Sequence, residues 1–167
     1  MESIVNFFVD NFGTNAGGYS REILVFFISC MPILELRGGL LAASLLGLSP
    51  LVSYILCIIG NILPVPFILW FITFIFEKLK HTPLRKMVLW MEEKANAKKE
   101  KIEKFGYIGL VLFVGIPLPG TGAWTGCLIA ALLGMDRKKS FIATLLGIFM
   151  ASMIMMFISF GFLKFFI

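Results

Sequence analysis

Two charged residues inside an apolar run are the first chemistry this sequence offers. Glu35 and Arg37 lie in Met-Pro-Ile-Leu-Glu-Leu-Arg-Gly-Gly (31–39), within an otherwise apolar stretch from Ile23 to Leu48. A charge near the centre of a membrane helix costs about 2.5–3.5 kcal/mol on insertion scales, so two in one segment call for a specific role. Low-dielectric surroundings favour the protonated form of a carboxyl group, and a proton-coupled carrier needs a group that loads and releases protons in this way. Glu35 is therefore the candidate proton site, and Arg37 is either its counter-ion or a contact for a substrate anion. The structural alternative is an ion pair that only closes a turn. Pro32 removes a backbone donor, and Gly38-Gly39 opens backbone angles closed to other residues, so the chain is expected to break and turn here. Residues two apart share a side only where the helix is broken, which predicts a re-entrant hairpin with Glu35 and Arg37 at its tip, halfway into a bilayer.

The same stretch returns at an ungapped offset of 87 residues. Phe26 meets Phe113, Pro32 meets Pro119, Gly39 meets Gly126, Leu45-Leu46-Gly47 meets Leu132-Leu133-Gly134, and Gly60 meets Gly147. Glycines and prolines aligned in one register mark an internal repeat. Repeated halves with broken apolar segments at matching places point to a binding site near the membrane midplane. In the second half Pro117, Pro119, Gly120, Gly122 and Gly126 are expected to build the tip, as Pro32, Gly38 and Gly39 do in the first. Thr121 and Trp124 are its candidate binding residues. Trp124 falls on Arg37, so the two tips are expected to bring a cation and an aromatic face together. Asn61 is expected to hydrogen-bond a hairpin tip or to line a path, and Gly60 and Gly147 to be points of close helix approach.

Composition places these segments in a membrane. The chain is 59% hydrophobic and 15% charged, with mean hydropathy +0.93, which reads as one integral membrane domain over residues 1–167. Its net charge of +5 sits beside apolar segments, where it orients the chain and meets anionic lipid; no nucleic-acid partner is expected. Cys30, Cys57 and Cys127 are odd in number and scattered, so neither a disulfide framework nor a metal site is expected, and no cofactor. No Ser/His, paired Asp or metal-ligand set falls within the apolar segments, which argues against an enzyme.

Taken in order, residues 1–21 have the spacing of an interfacial helix, with acids where a cleaved signal would carry lysines. Repeat 1 (22–76) contains Ile23 to Leu34, about 18 Å of helix and short of a ~30 Å core, then a return through Leu40 to Leu48. It closes with a span from Leu51 to Phe76 interrupted by Asn61, Pro64 and Pro66. Residues 77–104 read as an amphipathic helix from Thr82-Pro83, with Leu84, Met87, Val88, Met91 and Ala95 on its apolar face, followed by a charged extension. Repeat 2 (105–167) runs from Phe105 to Ile116, through the tip, back by Cys127 to Met135, across the basic loop 136–139 and into a span from Ser140. The expected fold is an all-α integral membrane protein of two inverted-topology repeats. Each is a re-entrant helical hairpin followed by one transmembrane helix, and amphipathic interfacial helices are added to them.

Basic residues set the orientation. With both hairpins re-entrant, 77–104 and 136–139 share a face, the cytoplasmic one by the positive-inside rule; four ordinary spans would put them on opposite faces. The expected location is the bacterial cytoplasmic membrane. Two spans and two half-depth hairpins enclose no wide path, so a homodimer or a groove open to lipid is expected.

The stretches Pro-Ile-Leu-Glu-Leu-Arg-Gly-Gly (32–39) and Gly-Ile-Pro-Leu-Pro-Gly-Thr-Gly-Ala-Trp-Thr-Gly (115–126) resemble the small multidrug export proteins, over nearly the whole chain. More distantly the pattern is similar to the DedA-like, or VTT-domain, membrane proteins. The resemblance implies two opposed re-entrant hairpins and a carrier that moves an amphipathic small molecule or lipid, coupled to protons. Its DedA-like side implies a flippase or scramblase for a phosphate-bearing lipid such as polyprenyl phosphate, with Glu35 as the matching acid. That pattern has arginines where this chain has Ile116 and Gly122, which turns the expectation toward a neutral or cationic amphiphile. A non-transporting structural membrane protein is the remaining alternative.

Overall fold

Proline and glycine decide where the helices stop. The computed structural model describes residues 18–79, 81–83, 85–96 and 99–162, and among these the chain is all helical, with no strand. Helix α1 (Gly18–Cys30) ends just before Pro32, which has no N–H to continue the ladder and disfavours helical angles at Met31. A short turn, Met31–Leu34, leads into α2 (Glu35–Leu45), with the Glu35 N–H donating to the Met31 carbonyl at 3.0 Å. Gly47, at φ +69°, closes α2 with the paired bonds of a Schellman motif, from Gly47 N–H to Ser44 and from Leu48 N–H to Ala43. Pro50 opens α3 (Pro50–Ile62) at the helix position where a missing N–H costs nothing.

Pro64 begins α4 (Pro64–Leu79) after a single intervening residue, and Leu63 N–H still bonds to Ile59. Pro50 to Phe71 is thus a stretch of 22 residues long and apolar enough to cross a membrane. Next come α5 (Arg85–Asn96) and α6 (Lys99–Gly115), which turns sharply at Gly106 (φ +56°, ψ −133°) between its charged and apolar parts. After the second break, α7 (Ala123–Leu132) ends at Gly134, φ +64°, and α8 (Arg137–Met156) begins behind Asp136, whose Oδ1 accepts the Lys139 N–H at 2.9 Å. A π-helical stretch, Phe157–Phe162, follows.

The second set of elements falls where the 87-residue offset places it. α2 and α7 end at Leu45 and Leu132, α3 and α8 start at Pro50 and Arg137, and the bonds closing the Gly47 turn recur around Gly134: Gly134 N–H to Ala131, Met135 N–H to Ala130.

The contacts sort into two compact units. The first holds α1, α2, α3 and the chain from Ile148 onward; the second runs from Pro64 through Gly147. In the first unit, Gly39 and Gly60 are the close approaches: a Cβ at Gly39 would run into Ser29 Oγ and lie 2.9 Å from Cys57 Sγ, and one at Gly60 would lie 2.8 Å from the Phe26 carbonyl oxygen. In the second, Gly126 presses on Val114 (2.7 Å) and Gly147 on the Val111 carbonyl (2.9 Å).

These contacts correct one expectation. Gly38, Gly39 and Gly126 do not form turns; all three are helical. Pro32 breaks the first half, and Pro119 with Gly120 and Gly122 the second; the missing side chains of Gly39 and Gly126 let helices touch, and that of Gly38 clears Leu34. The amphipathic helix begins at Arg85, whose N–H bonds to Thr82, and buries Val88 while Leu89 and Trp90 stay exposed. Leu84 and the side chains of Met87, Met91 and Ala95 lie outside the described residues, as do residues 1–17 of the interfacial helix expected over 1–21.

Burial on the long helices is inverted relative to a protein in water. α3 buries Ser53, Cys57, Gly60 and Asn61 and exposes Leu51, Ile55 and Ile59. α8 buries Ser140, Thr144 and Ser152 and exposes Ile142, Leu146, Phe149 and Met153. Buried hydroxyls beside large apolar side chains that face outward suit hydrocarbon surroundings, where apolar surface is free to face out and polar groups seek one another.

Candidate functional site

The break between α1 and α2 puts a charge pair at the start of a helix inside the first unit. Glu35 and Arg37 are 4% and 5% exposed, while Met31, Pro32 and Ile33 just before them face outward. Glu35 is the first residue of α2, where the positive end of the helix dipole favours a carboxylate. The same field opposes Arg37 two residues on, so the guanidinium depends on the carboxylate, and the Glu35 charge acts on Arg37. On a regular helix such neighbours point apart.

Glu35 departs from the regular helix. Its φ is +51°, the only positive value at a non-glycine among the described residues. Left-handed backbone costs an ordinary residue about 1–2 kcal/mol. The equivalent position in the second half is Gly122, whose φ is +133° and which costs nothing there. Both halves need an unusual φ at this point, and only one fills it with a residue that resists it.

The other polar candidate of this unit is Asn61, 1% exposed, with neither amide atom hydrogen-bonded. It ends a buried row on α3 formed with Ser53 and Cys57 at four-residue spacing. Ser53 Oγ donates to the Ser49 carbonyl at 2.8 Å, and Cys57 hydrogen-bonds with Ser29. α2 and α3, joined through the Gly47 turn, meet where Gly39 lies against Cys57, one turn before Asn61 on α3.

The second tip, in the second unit, is built differently. Leu118–Thr121 form a turn with Pro119 and Gly120 in its centre, Gly120 at φ +75°, closed by the Thr121 N–H on the Leu118 carbonyl. The Thr121 hydroxyl is shared between the Ile116 and Leu118 carbonyls, at 2.9 and 2.8 Å, so it ties the loop together. Pro117 is half-buried in this loop, and Trp124 lies half-buried in the first turn of α7. The site residues thus divide: Glu35, Arg37 and Asn61 in the first unit, Thr121 and Trp124 in the second.

Other polar residues hold the first unit together. Arg21 donates to the Leu46 carbonyl at the end of α2, Ser44 Oγ to the Ser159 carbonyl of the π-helical stretch at 2.7 Å, and Ser152 Oγ to Tyr54 OH at 3.2 Å. These pairs join residues up to 115 positions apart, and the only hint of them in the sequence is a hydroxyl repeated on an apolar helix. Among the described residues no three His, Cys, Asp or Glu side chains gather as a metal site.

Comparison with known families adds one decisive match. The family model described as "Putative small multi-drug export protein" covers residues 35–154, from Glu35 almost to the end of α8. The chain belongs to this family. No curated protein and no solved structure matches it. Membership of the small multi-drug export family, together with the two long apolar helices, makes this a membrane protein. The matched span starts at Glu35, directly after the first break, and contains the second break and every candidate residue from Glu35 to Gly126.

Proposed function

We propose that this protein is a carrier moving an amphipathic small molecule or lipid across the bacterial cytoplasmic membrane, with Glu35 loading and releasing the coupled proton. The observation that carries the reading is the left-handed backbone at Glu35, where the second half has Gly122. A residue held in a costly conformation, with its charge buried, marks a place where function offsets strain. Arg37 balances the carboxylate when it is ionised. Thr121 and Trp124 serve the second tip.

In this carrier the halves are inverted-topology repeats, each with a re-entrant hairpin. Helix length supports it: α1, α2 and α7, with 13, 11 and 10 residues, span about 20, 16 and 15 Å, against a hydrocarbon core of ~30 Å. The hairpins then enter from opposite leaflets, with residues 77–104 and 136–139 on the cytoplasmic face and lipid around the exposed isoleucines and phenylalanines. Two protomers, as a homodimer, supply enough helices to flank a path.

The test is transport in reconstituted vesicles under an imposed proton gradient, comparing a labelled lipophilic cation, a hydroxyl-headed amphiphile and polyprenyl phosphate. Glu35→Gln keeps size and polarity and removes the proton chemistry. Gradient-driven movement is expected to fall on the order of 100-fold, as when a required proton-transfer group is lost, while the protein still inserts. Unchanged pH-dependent transport in Glu35→Gln overturns the role.

A further inference from the structure

The two halves share their turns and helix ends but differ in chemistry at three positions. Glu35, Arg37 and Asn61 correspond to Gly122, Trp124 and Ile148. The fold does not require polar groups there, since the second half builds the same helix starts and turns with glycine, tryptophan and a fully buried isoleucine. The three polar residues therefore stand together as an addition to one half.

Within that trio the hydrogen-bonding capacity is unevenly used. Glu35 and Arg37 carry opposite charges that act on each other, leaving no net charge to be met. Asn61 is uncharged, almost wholly buried, and has its amide nitrogen and its amide oxygen both without a partner. Burying such a group unpaired is unfavourable, and the neighbouring residues could have avoided it, as Ile148 does in the other half. A guest that meets Asn61 must both donate and accept a hydrogen bond. A charged head would have to be stripped of water to meet an amide that offers it no opposite charge, which is costlier than docking a neutral one.

We infer that Asn61 is the recognition point for the head group of the transported amphiphile, and that this head is neutral and hydrogen-bonding, a hydroxyl or an amide. The inference rests on the carrier reading above and adds the substrate class to it. Asn61 acts on binding, and Glu35 on proton coupling.

The test uses the full chain in detergent, with no gradient, and reads its thermal unfolding with four probes of one tail length: dodecanol, dodecylammonium, dodecyl phosphate and dodecane. Wild-type protein is expected to gain on the order of 2–4 °C with dodecanol and clearly less with the other three. Asn61→Ile, which installs the second half's residue, is expected to melt higher than wild type without any probe, because two unmet polar atoms are gone, and to lose the dodecanol shift. Asn61→Ala carries the same loss of the shift should the isoleucine variant not accumulate. Glu35→Gln is expected to keep the dodecanol shift, so a failure of proton coupling is distinguishable from a failure of head-group binding. A larger shift with a charged probe, an equal shift in the Asn61 variants, or no response to any probe, with the amide then meeting only water, overturns the inference.

Discussion

Arg37→Leu is expected to destabilise the first unit by about 3–5 kcal/mol, the usual consequence of removing one member of a buried charge pair. The leucine leaves the Glu35 carboxylate in a site that is 4% exposed. The helix dipole still favours its charge but the guanidinium opposite it is gone, and the left-handed backbone at Glu35 still has to be imposed. The informative companion is the double variant Glu35→Gly with Arg37→Trp, which writes the second half's residues into the first. Glycine removes the backbone strain and no charge remains to be stranded, so the double variant is expected to be more stable than Arg37→Leu alone. Unfolding in detergent for each single and double variant gives the coupling directly. A double variant whose losses simply add, or an Arg37→Leu loss under about 1 kcal/mol as for an exposed pair, contradicts the placement of the two charges.

Gly60→Val should be as damaging for a different reason. An added Cβ would lie 2.8 Å from the Phe26 carbonyl oxygen. A backbone oxygen within a helix cannot rotate away, so α1 and α3 must separate and the seam around Ser29 and Cys57 opens. The expected loss is about 3 kcal/mol or more, the upper range for overpacking, read as reduced membrane accumulation and a lower melting temperature. Gly147→Val should behave alike, because it meets the Val111 carbonyl at 2.9 Å. Gly47→Ala is the control. Nothing lies within 4 Å of its added Cβ and only its φ of +69° resists, so about 1–2 kcal/mol is expected. Equal effects at Gly47 and Gly60 would refute the close approach.

Much of this was legible from residue types alone. Pro32 announces the first break, Pro117 and Pro119 the second, and the 87-residue offset places Gly134 opposite Gly47 before any backbone angle is known. The use of Gly38 and Gly39 was not legible. A glycine that frees a turn and one that admits a neighbouring helix look identical in sequence, and Ser29, which decides the matter for Gly39, lies on another helix. The strain at Glu35 was available in principle, since the offset already set it against Gly122. The isolation of Asn61 was not, because an unmet amide is defined by what surrounds it in space, which residue spacing does not record.

Each hairpin enters and leaves by the same face in the proposed topology, and single cysteines introduced at Ser49, Lys99 and Lys138 in a chain freed of Cys30, Cys57 and Cys127 test that most directly. With a membrane-impermeant thiol reagent, Lys99→Cys and Lys138→Cys are expected to react from one side and Ser49→Cys from the other. Reaction of the Lys99 and Lys138 positions from opposite sides would mean that the broken segments cross completely, and would contradict the account.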